Sequence, residues 1–559
     1  MTHIALHHRR LIVGVAVTML TTLLIAVGGT APAEGRDLQW HTCYQDVTDE
    51  IGLGVGYECT QVRVPLDHDR PDGATISLAL VRIPASDQAN HKGSLFLNPG
   101  GPGGSGIDFA LNFGPFAPFI WGPVANQYDI VGFDPRGIAR STPLRCFGTV
   151  DRAVQVFPPV PFPSVEEEIP LFETGFSLLN DHCVRRGGMI VEHMSTANVA
   201  HDLDLLREAV GDEHTNYAGL SYGSYLGQTY ANLYPDRVGA FVIDGVLDPV
   251  AWANLDADVP FSTALRSDVG AQATLDEFLA QCDAAGAGNC AFAPDAATRF
   301  EALAETLKTG PIDVVDPFTG ETITYFYSFL IGDTLGALYN PGAFADLAQY
   351  LAYIESQASP AVLGLARQEM LEAAGLAKER QPYDNFVEGF PAVACEDTSN
   401  PTTGMQAWYD AGVQSAELYG YFGEIWTWAS APCAVWSSVD DDVYTGPYAT
   451  GTVNPVLVIG NLYDPATRYE GAQTANGLLS DSVLITVDEP GHTSLGISGC
   501  AGFLTGQYLA DPVGYASGTG DAFCPSEGNW FDKLAAAGVA GENAAEFRTE
   551  LMDAITFRP

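Results

Sequence analysis

Three residues, far apart along a 559-residue chain, have the types and neighbours that turn a hydroxyl into a nucleophile. Ser221 lies in Gly219-Leu220-Ser221-Tyr222-Gly223, the one G-x-S-x-G in the sequence. In that motif a sharp strand-to-helix turn thrusts the serine outward, and the two glycines relieve the crowding around it. A serine hydroxyl is a weak nucleophile until an imidazole takes its proton. The imidazole in turn needs a buried carboxylate to fix its tautomer and stabilise its cation. His492, in Asp488-Glu489-Pro490-Gly491-His492, is the base candidate, and Asp464, in Gly460-Asn461-Leu462-Tyr463-Asp464-Pro465-Ala466-Thr467, is the acid candidate. Asp464 also reads as a plain helix N-cap, with Thr467 three residues on. A fourth stretch, Asn98-Pro99-Gly100-Gly101-Pro102-Gly103-Gly104-Ser105-Gly106, is rich enough in glycine for backbone N–H groups to approach a developing oxyanion. The amides of Gly101 and Tyr222 are the candidate pair. Read otherwise, Gly101-x-Gly103-x-x-Gly106 spells a dinucleotide fingerprint, which keeps an NAD-dependent oxidoreductase as a rival.

These side chains need a sheet to carry them. Short apolar runs at Ile76 to Val81, Ser94 to Leu97, Asp129 to Phe133, Tyr217 to Leu220 and Ala240 to Ile243 read as strands, and Pro455 to Ile459 and Val483 to Val487 resume the pattern. Between them, Val199, Leu203, Leu206 and Val210 form one apolar face of a helix over Ala197 to Val210, with Ser195 or Thr196 as its cap. Strands alternating with helices predict an α/β fold with a mostly parallel sheet. Ser221, Asp464 and His492 then fall at carboxyl ends of strands, where open α/β sheets place their sites. From about Leu247 to Pro447 strand runs thin out and Ala-rich helical stretches take over, at Thr274 to Ala285, Asp295 to Leu307 and Ala361 to Ala377. That segment reads as a large helical cap inserted in one sheet: core over 34–247, cap over 248–447, and core again over 448–559.

Composition bounds the partners. The net charge of −44 and only 25 basic residues disfavour phosphate backbones and anionic lipid surfaces. Residues 1–33 read as a signal peptide: Arg9 and Arg10, the apolar run Leu11 to Val27, then Ala31-Pro32-Ala33 as a cleavage site. An exported chain makes its ten cysteines readable as disulfides, and the economical pairing joins sequence neighbours: 43–59, 146–183, 282–290, 395–433 and 500–524. His182, His193, His201 and His214 read as surface or capping residues. The acidic runs Glu166 to Glu168 and Asp440 to Asp442 read as solvated surface, without the spacing of a calcium loop.

Taken together, the motifs resemble a known family. The glycine-rich Asn98 to Gly106, Tyr128-Asp-Ile-Val-Gly-Phe-Asp134-Pro-Arg136-Gly137, the serine motif, Leu462 to Thr467 and Gly491-His492 are similar to the secreted tripeptidyl-aminopeptidase-like (TAP-like) branch of the proline iminopeptidase family, from about Cys43 to Cys524. The resemblance implies an α/β-hydrolase core with a helical cap, and release of short peptides, tripeptides by the branch's habit, from free N-termini. It implies Ser221, Asp464 and His492 as a triad, with Gly101 and Tyr222 as the oxyanion hole. Pro99 stands where the iminopeptidases carry a histidine, which argues against strict proline release.

An exopeptidase must also hold the substrate's ammonium, and carboxylates in an enclosed cleft can do so. Ala392-Val-Ala-Cys395-Glu396-Asp397 nominates Asp397, with Glu396 second. The overall expectation is a secreted or cell-envelope serine aminopeptidase acting on peptides by an acyl-enzyme, with no cofactor, no metal, no nucleic acid and no membrane partner beyond the signal segment. Two alternatives stay open: a carboxylesterase with the same triad and a catalytically silent binding protein. The number of residues released and the oligomeric state are not legible.

Overall fold

In a computed structural model the described residues are 38–47, 54–315, 322–357 and 385–537. The signal segment and the helix expected over Ala361 to Ala377 lie outside them. Ten strands form one sheet: β1 (His41–Cys43), β2 (Tyr57–Pro65), β3 (Thr75–Ile83), β4 (Ser94–Asn98), β5 (Asp129–Phe133), β6 (Thr215–Leu220), β7 (Val238–Asp244), then, after a separate hairpin of β8 (Ile312–Val315) and β9 (Thr322–Tyr325), β10 (Val456–Tyr463), β11 (Ser482–Pro490) and β12 (Ala522–Cys524). The spatial order is β1-β2-β3-β5-β4-β6-β7-β10-β11-β12. From β1 to β5 the pairs run antiparallel, and every pair from β5 to β12 is parallel. The fold is the expected α/β type.

The parallel strands are buried throughout β4, β5 and β7, as strands covered on both faces must be. Alternation divides their side chains between two layers. Phe96, Tyr217, Phe241, Ile243, Val456 and Val458 join one core, while Leu95, Leu97, Ala218, Val242, Leu457 and Ile459 join the other. The second layer includes α1 (Gly106–Phe113), and here the backbones touch: a Cβ on Gly132 would lie 2.2 Å from the Gly106 carbonyl oxygen and 2.5 Å from Ala110 Cβ. A third core is helical. It gathers Phe172 and Phe176 of α2 (Ile169–Arg186) with residues between β7 and β10, and Phe531 beyond β12. The apolar face of α2 recurs at Ile169, Phe172, Phe176 and Leu179, a helical period that ties this earlier stretch to the later helices.

The helix expected after residue 196 is α3 (Thr196–Val210); Ser195 caps it, accepting from Asn198 N, and Gly211 closes it at a left-handed φ of 89°. Five disulfides pair 43–59, 146–183, 282–290, 395–433 and 500–524, all between sequence neighbours as expected.

Gly132→Ala tests the contact between α1 and β5. The added methyl would meet the Gly106 carbonyl and the Ala110 methyl, so we expect a loss of about 3 kcal/mol in denaturant unfolding. An unchanged midpoint would show that the helix can lift off the strand.

Candidate active site

Ser221 stands at the turn between β6 and α4 (Tyr222–Leu233), with φ 56° and ψ −126°. Non-glycine residues rarely take such a conformation, so the surroundings must hold it. Ser221 N donates to the Asp244 carbonyl at 2.9 Å, and Ser224 N donates to the Ser221 carbonyl at 2.8 Å. Close packing supplies the rest. A Cβ on Gly219 would lie 2.4 Å from the Gly223 carbonyl, and one on Gly223 would lie 2.8 Å from Asn98 Oδ1. Only glycine fits either place.

Asp464 follows β10 and is fully buried. Oδ1 accepts from Ala466 N at 2.9 Å and Thr467 N at 2.8 Å; Oδ2 accepts from Thr467 Oγ1 at 3.0 Å and Thr493 N at 3.1 Å. His492 Nδ1 lies 2.9 Å from Oδ1 and 3.0 Å from Oδ2. The carboxylate therefore bonds local backbone as a cap would and also orients the imidazole. With Nδ1–H committed to Asp464, Nε2 is the nitrogen left with a lone pair. The ring rests on the end of β7: a Cβ on Gly245 would lie 3.4 Å from His492 Cε1, and the neighbouring Asp244 carbonyl is the one that holds Ser221 N. Among the described residues no hydrogen bond joins the Ser221 hydroxyl to His492; in free enzymes such bonds often tighten only with substrate.

The glycine-rich loop lies on the serine turn. Asn98 Oδ1 accepts from Gly100 N at 2.9 Å, and Gly100, at φ 94°, would carry a Cβ 2.9 Å from Tyr222 N and 2.5 Å from the Leu220 carbonyl. As first residue of α4, Tyr222 has an N–H with no intrahelical acceptor. Gly100, the neighbour of Gly101, thus packs on the serine turn beside the Tyr222 amide.

Segments from between β7 and β10 reach both sides of this array. The Tyr339 carbonyl accepts from His492 N at 2.8 Å, and its ring sits edge-on to the imidazole at 5.0 Å. On the other side a Cβ on Gly103 would lie 3.2 Å from Phe390 N.

Glu396 and Asp397 end the helix Phe386–Asp397 (α5 here), at the start of α3 rather than in an open cleft. Met194 N donates to Glu396 Oε2 at 3.1 Å, Ser195 N to Asp440 Oδ2 at 2.9 Å, and Thr196 N to Asp397 Oδ1 at 2.8 Å. Three successive amides at a helix N-terminus each meet a carboxylate, where the dipole favours negative charge. Asp397 Oδ2 also accepts from Thr196 Oγ1 at 2.5 Å and Trp252 Nε1 at 3.4 Å. Thr196 Oγ1 bonds in turn to the Tyr222 hydroxyl. Burial raises the Asp397 carboxyl to about 7 and pushes Glu396 well above the ordinary glutamate range. Two expectations change here. Asp440 is 3% exposed, not solvated, because its carboxyl accepts from Ser195 N at the start of α3; His193, read as a surface or capping residue, is buried.

Asp244 is a site residue that the sequence reading missed. It closes β7 and is 3% exposed. Its main chain holds Ser221, and its carboxyl accepts from Ser494 N at 2.9 and 3.0 Å and from Ser494 Oγ at 2.8 Å, two residues beyond His492. The available signal was its place: an acid closing a fully apolar run at the same sheet end as Ser221. Burial raises its carboxyl from 3.8 to about 6.

That elevation sets a pH dependence. The folded state holds the proton more tightly, so Asp244 contributes stability that is complete below about pH 4 and is lost as pH rises through about 6. We expect Asp244→Asn to flatten the slope of the melting temperature over that window. Equal slopes in both proteins would contradict the assignment.

Residues 93–283 match the family described as alpha/beta hydrolase fold, and residues 419–520 match the family described as TAP-like protein. The serine protease Hip1 of Mycobacterium tuberculosis is 31% identical over 506 residues, covering 87% of this chain and 92% of Hip1. The tripeptidyl aminopeptidase of Streptomyces coelicolor is 31% identical over 485 residues, covering 84% and 83%. Carboxylesterase B of Mycobacterium tuberculosis is 30% identical over 477 residues, covering 83% and 86%.

Proposed function

The chain belongs to the TAP-like family of α/β-hydrolases, and on that premise we propose that it is a secreted serine exopeptidase releasing short peptides, tripeptides by first expectation, from free N-termini. The observation that carries this reading is the Asp464–His492 pair, 2.9 Å apart, seated at the strand ends beside the Ser221 turn. In the proposed reaction His492 Nε2 takes the Ser221 proton as Oγ attacks the scissile carbonyl. Asp464 stabilises the imidazolium, and the Gly101 and Tyr222 N–H groups receive the oxyanion. His492 then gives the proton to the departing amine, and water, activated by the same nitrogen, releases the acyl group. No oxidoreductase step is retained: the loop glycines pack on the serine turn, and the relatives are hydrolases.

In this reading residues 248–447 act as the cap that admits only a chain end. Glu396 and Asp397 are not carried forward as the ammonium receptor, since each gives a carboxyl oxygen to the N-terminus of α3. Asp397 instead braces Tyr222 through Thr196. Five disulfides and the signal-like residues 1–33 support export by a cleavable leader. Among the described residues no helix is long and apolar enough to cross a membrane.

A second reading, carboxylesterase, has its own support in the relative of that name, and the same array would serve it. Peptidyl aminocoumarins of one, two and three residues, with free or acetylated N-termini, beside a nitrophenyl ester, separate the two. We expect the free tripeptidyl substrate to be turned over fastest and its acetylated form at least about tenfold more slowly. Ester turnover with no peptide turnover would leave the esterase. Ser221→Ala should abolish fluorophosphonate labelling and lower kcat by about 10⁶. Labelling that survives would remove Ser221 as nucleophile.

A further inference from the structure

The loop through Asp440 and Asp442 faces α3 at a place the proposed reaction does not use. A ring nitrogen of His193 and one carboxylate oxygen each from Asp440 and Asp442 lie within 4.8 Å of one another. His193 is 9% exposed, and its Nδ1 is buried with no hydrogen-bond partner. Its backbone is fixed on both sides, since its N–H donates to the Ile190 carbonyl and its carbonyl accepts from Arg136 Nη1. Asn198 draws the two carboxylates together: Nδ2 donates to Asp440 at 3.0 and 3.2 Å and to Asp442 at 3.3 Å, while its own buried Oδ1 has no partner. Among the described residues no ion pair reaches Glu396, Asp397, Asp440 or Asp442. Arg70, which interacts with Asp441, is exposed and paired with Asp67.

A buried imidazole nitrogen without a hydrogen-bond partner is costly, and the two carboxylates beside that ring, though hydrogen-bonded, have no cation among the described residues. One divalent ion answers both deficits. Three ligand atoms spread evenly about 2.0–2.2 Å from one ion stand about 3.6 Å apart, so the three groups need close by no more than about an ångström. An imidazole with two carboxylates suits zinc or manganese better than calcium or magnesium, which favour all-oxygen shells.

We propose that His193, Asp440 and Asp442 form a structural site for a divalent transition-metal ion. The ion would staple the start of α3 to the chain returning from the helical layer. Three residues after His193, Thr196 bonds to the Tyr222 hydroxyl, so the staple steadies the helix that backs the serine turn. The site departs from the metal-free expectation of the sequence and is independent of the peptidase reading.

The test uses the untagged mature protein after chelation, titrated separately with zinc, manganese and calcium chloride by calorimetry and followed by melting temperature. The expected result is one saturable zinc or manganese site per chain and a melting temperature higher by several degrees, with calcium at least tenfold weaker. His193→Gln and Asp442→Asn should each weaken binding at least tenfold, and exposed Asp441→Asn should not. Fluorophosphonate labelling of Ser221 reports that each variant is folded. Absence of stoichiometric zinc or manganese binding to the wild-type protein overturns the proposal. So does unchanged affinity in both folded ligand variants.

Discussion

Everything at the candidate site depends on one backbone conformation, the positive φ of Ser221. A serine prefers to leave that region, and among the described residues no side-chain hydrogen bond of its own keeps it there. It is held by steric exclusion around two absent Cβ atoms, at Gly219 and Gly223, and by the hydrogen bond from its own amide to the Asp244 carbonyl. Relaxing the turn would withdraw Oγ and rotate the Tyr222 amide from the face that Gly100 covers. In the proposed reaction the nucleophile and one oxyanion donor are thus set by the same turn.

The parallel sheet explains why residues so far apart in sequence can meet there. Side by side in the order β4, β6, β7, β10, β11, successive strands deliver their following loops to one end. Asn98 closes β4, Ser221 follows β6, Asp244 closes β7, Asp464 follows β10 and His492 follows β11. Strand register places them; local sequence only chooses the residue. Asp244 belongs to this set as much as the others, since its main chain and side chain bridge the serine turn to the histidine loop.

The acids show how the same residue type serves opposite ends. Asp464 is buried among five donors and orients a ring. Glu396, Asp397 and Asp440 are buried against three successive amides of a helix start, and burial favours the protonated form of the first two. An excess of acidic residues therefore does not sit wholly on the surface, and the acids nearest the helical layer are structural before they are anything else.

The sequence by itself determined the fold class, the strand runs β3 to β7, β10 and β11, helix α3 with a cap at Ser195 or Thr196, and the neighbour pairing of the cysteines. Those features follow from local periodicity, capping chemistry and short spacing. It also nominated Ser221, Asp464 and His492, because each sits in a distinctive turn just after an apolar run. Tertiary structure alone decided what the acids do. Asp440 and His193 look no different in sequence from solvated neighbours, and the positions of Asp244 and Asp397 did not say what they bind, since burial and hydrogen-bond partners come from residues up to 250 positions away. It also decided that α2 shares a core with helices beyond β7, because an amphipathic face states that it will be covered without stating by what.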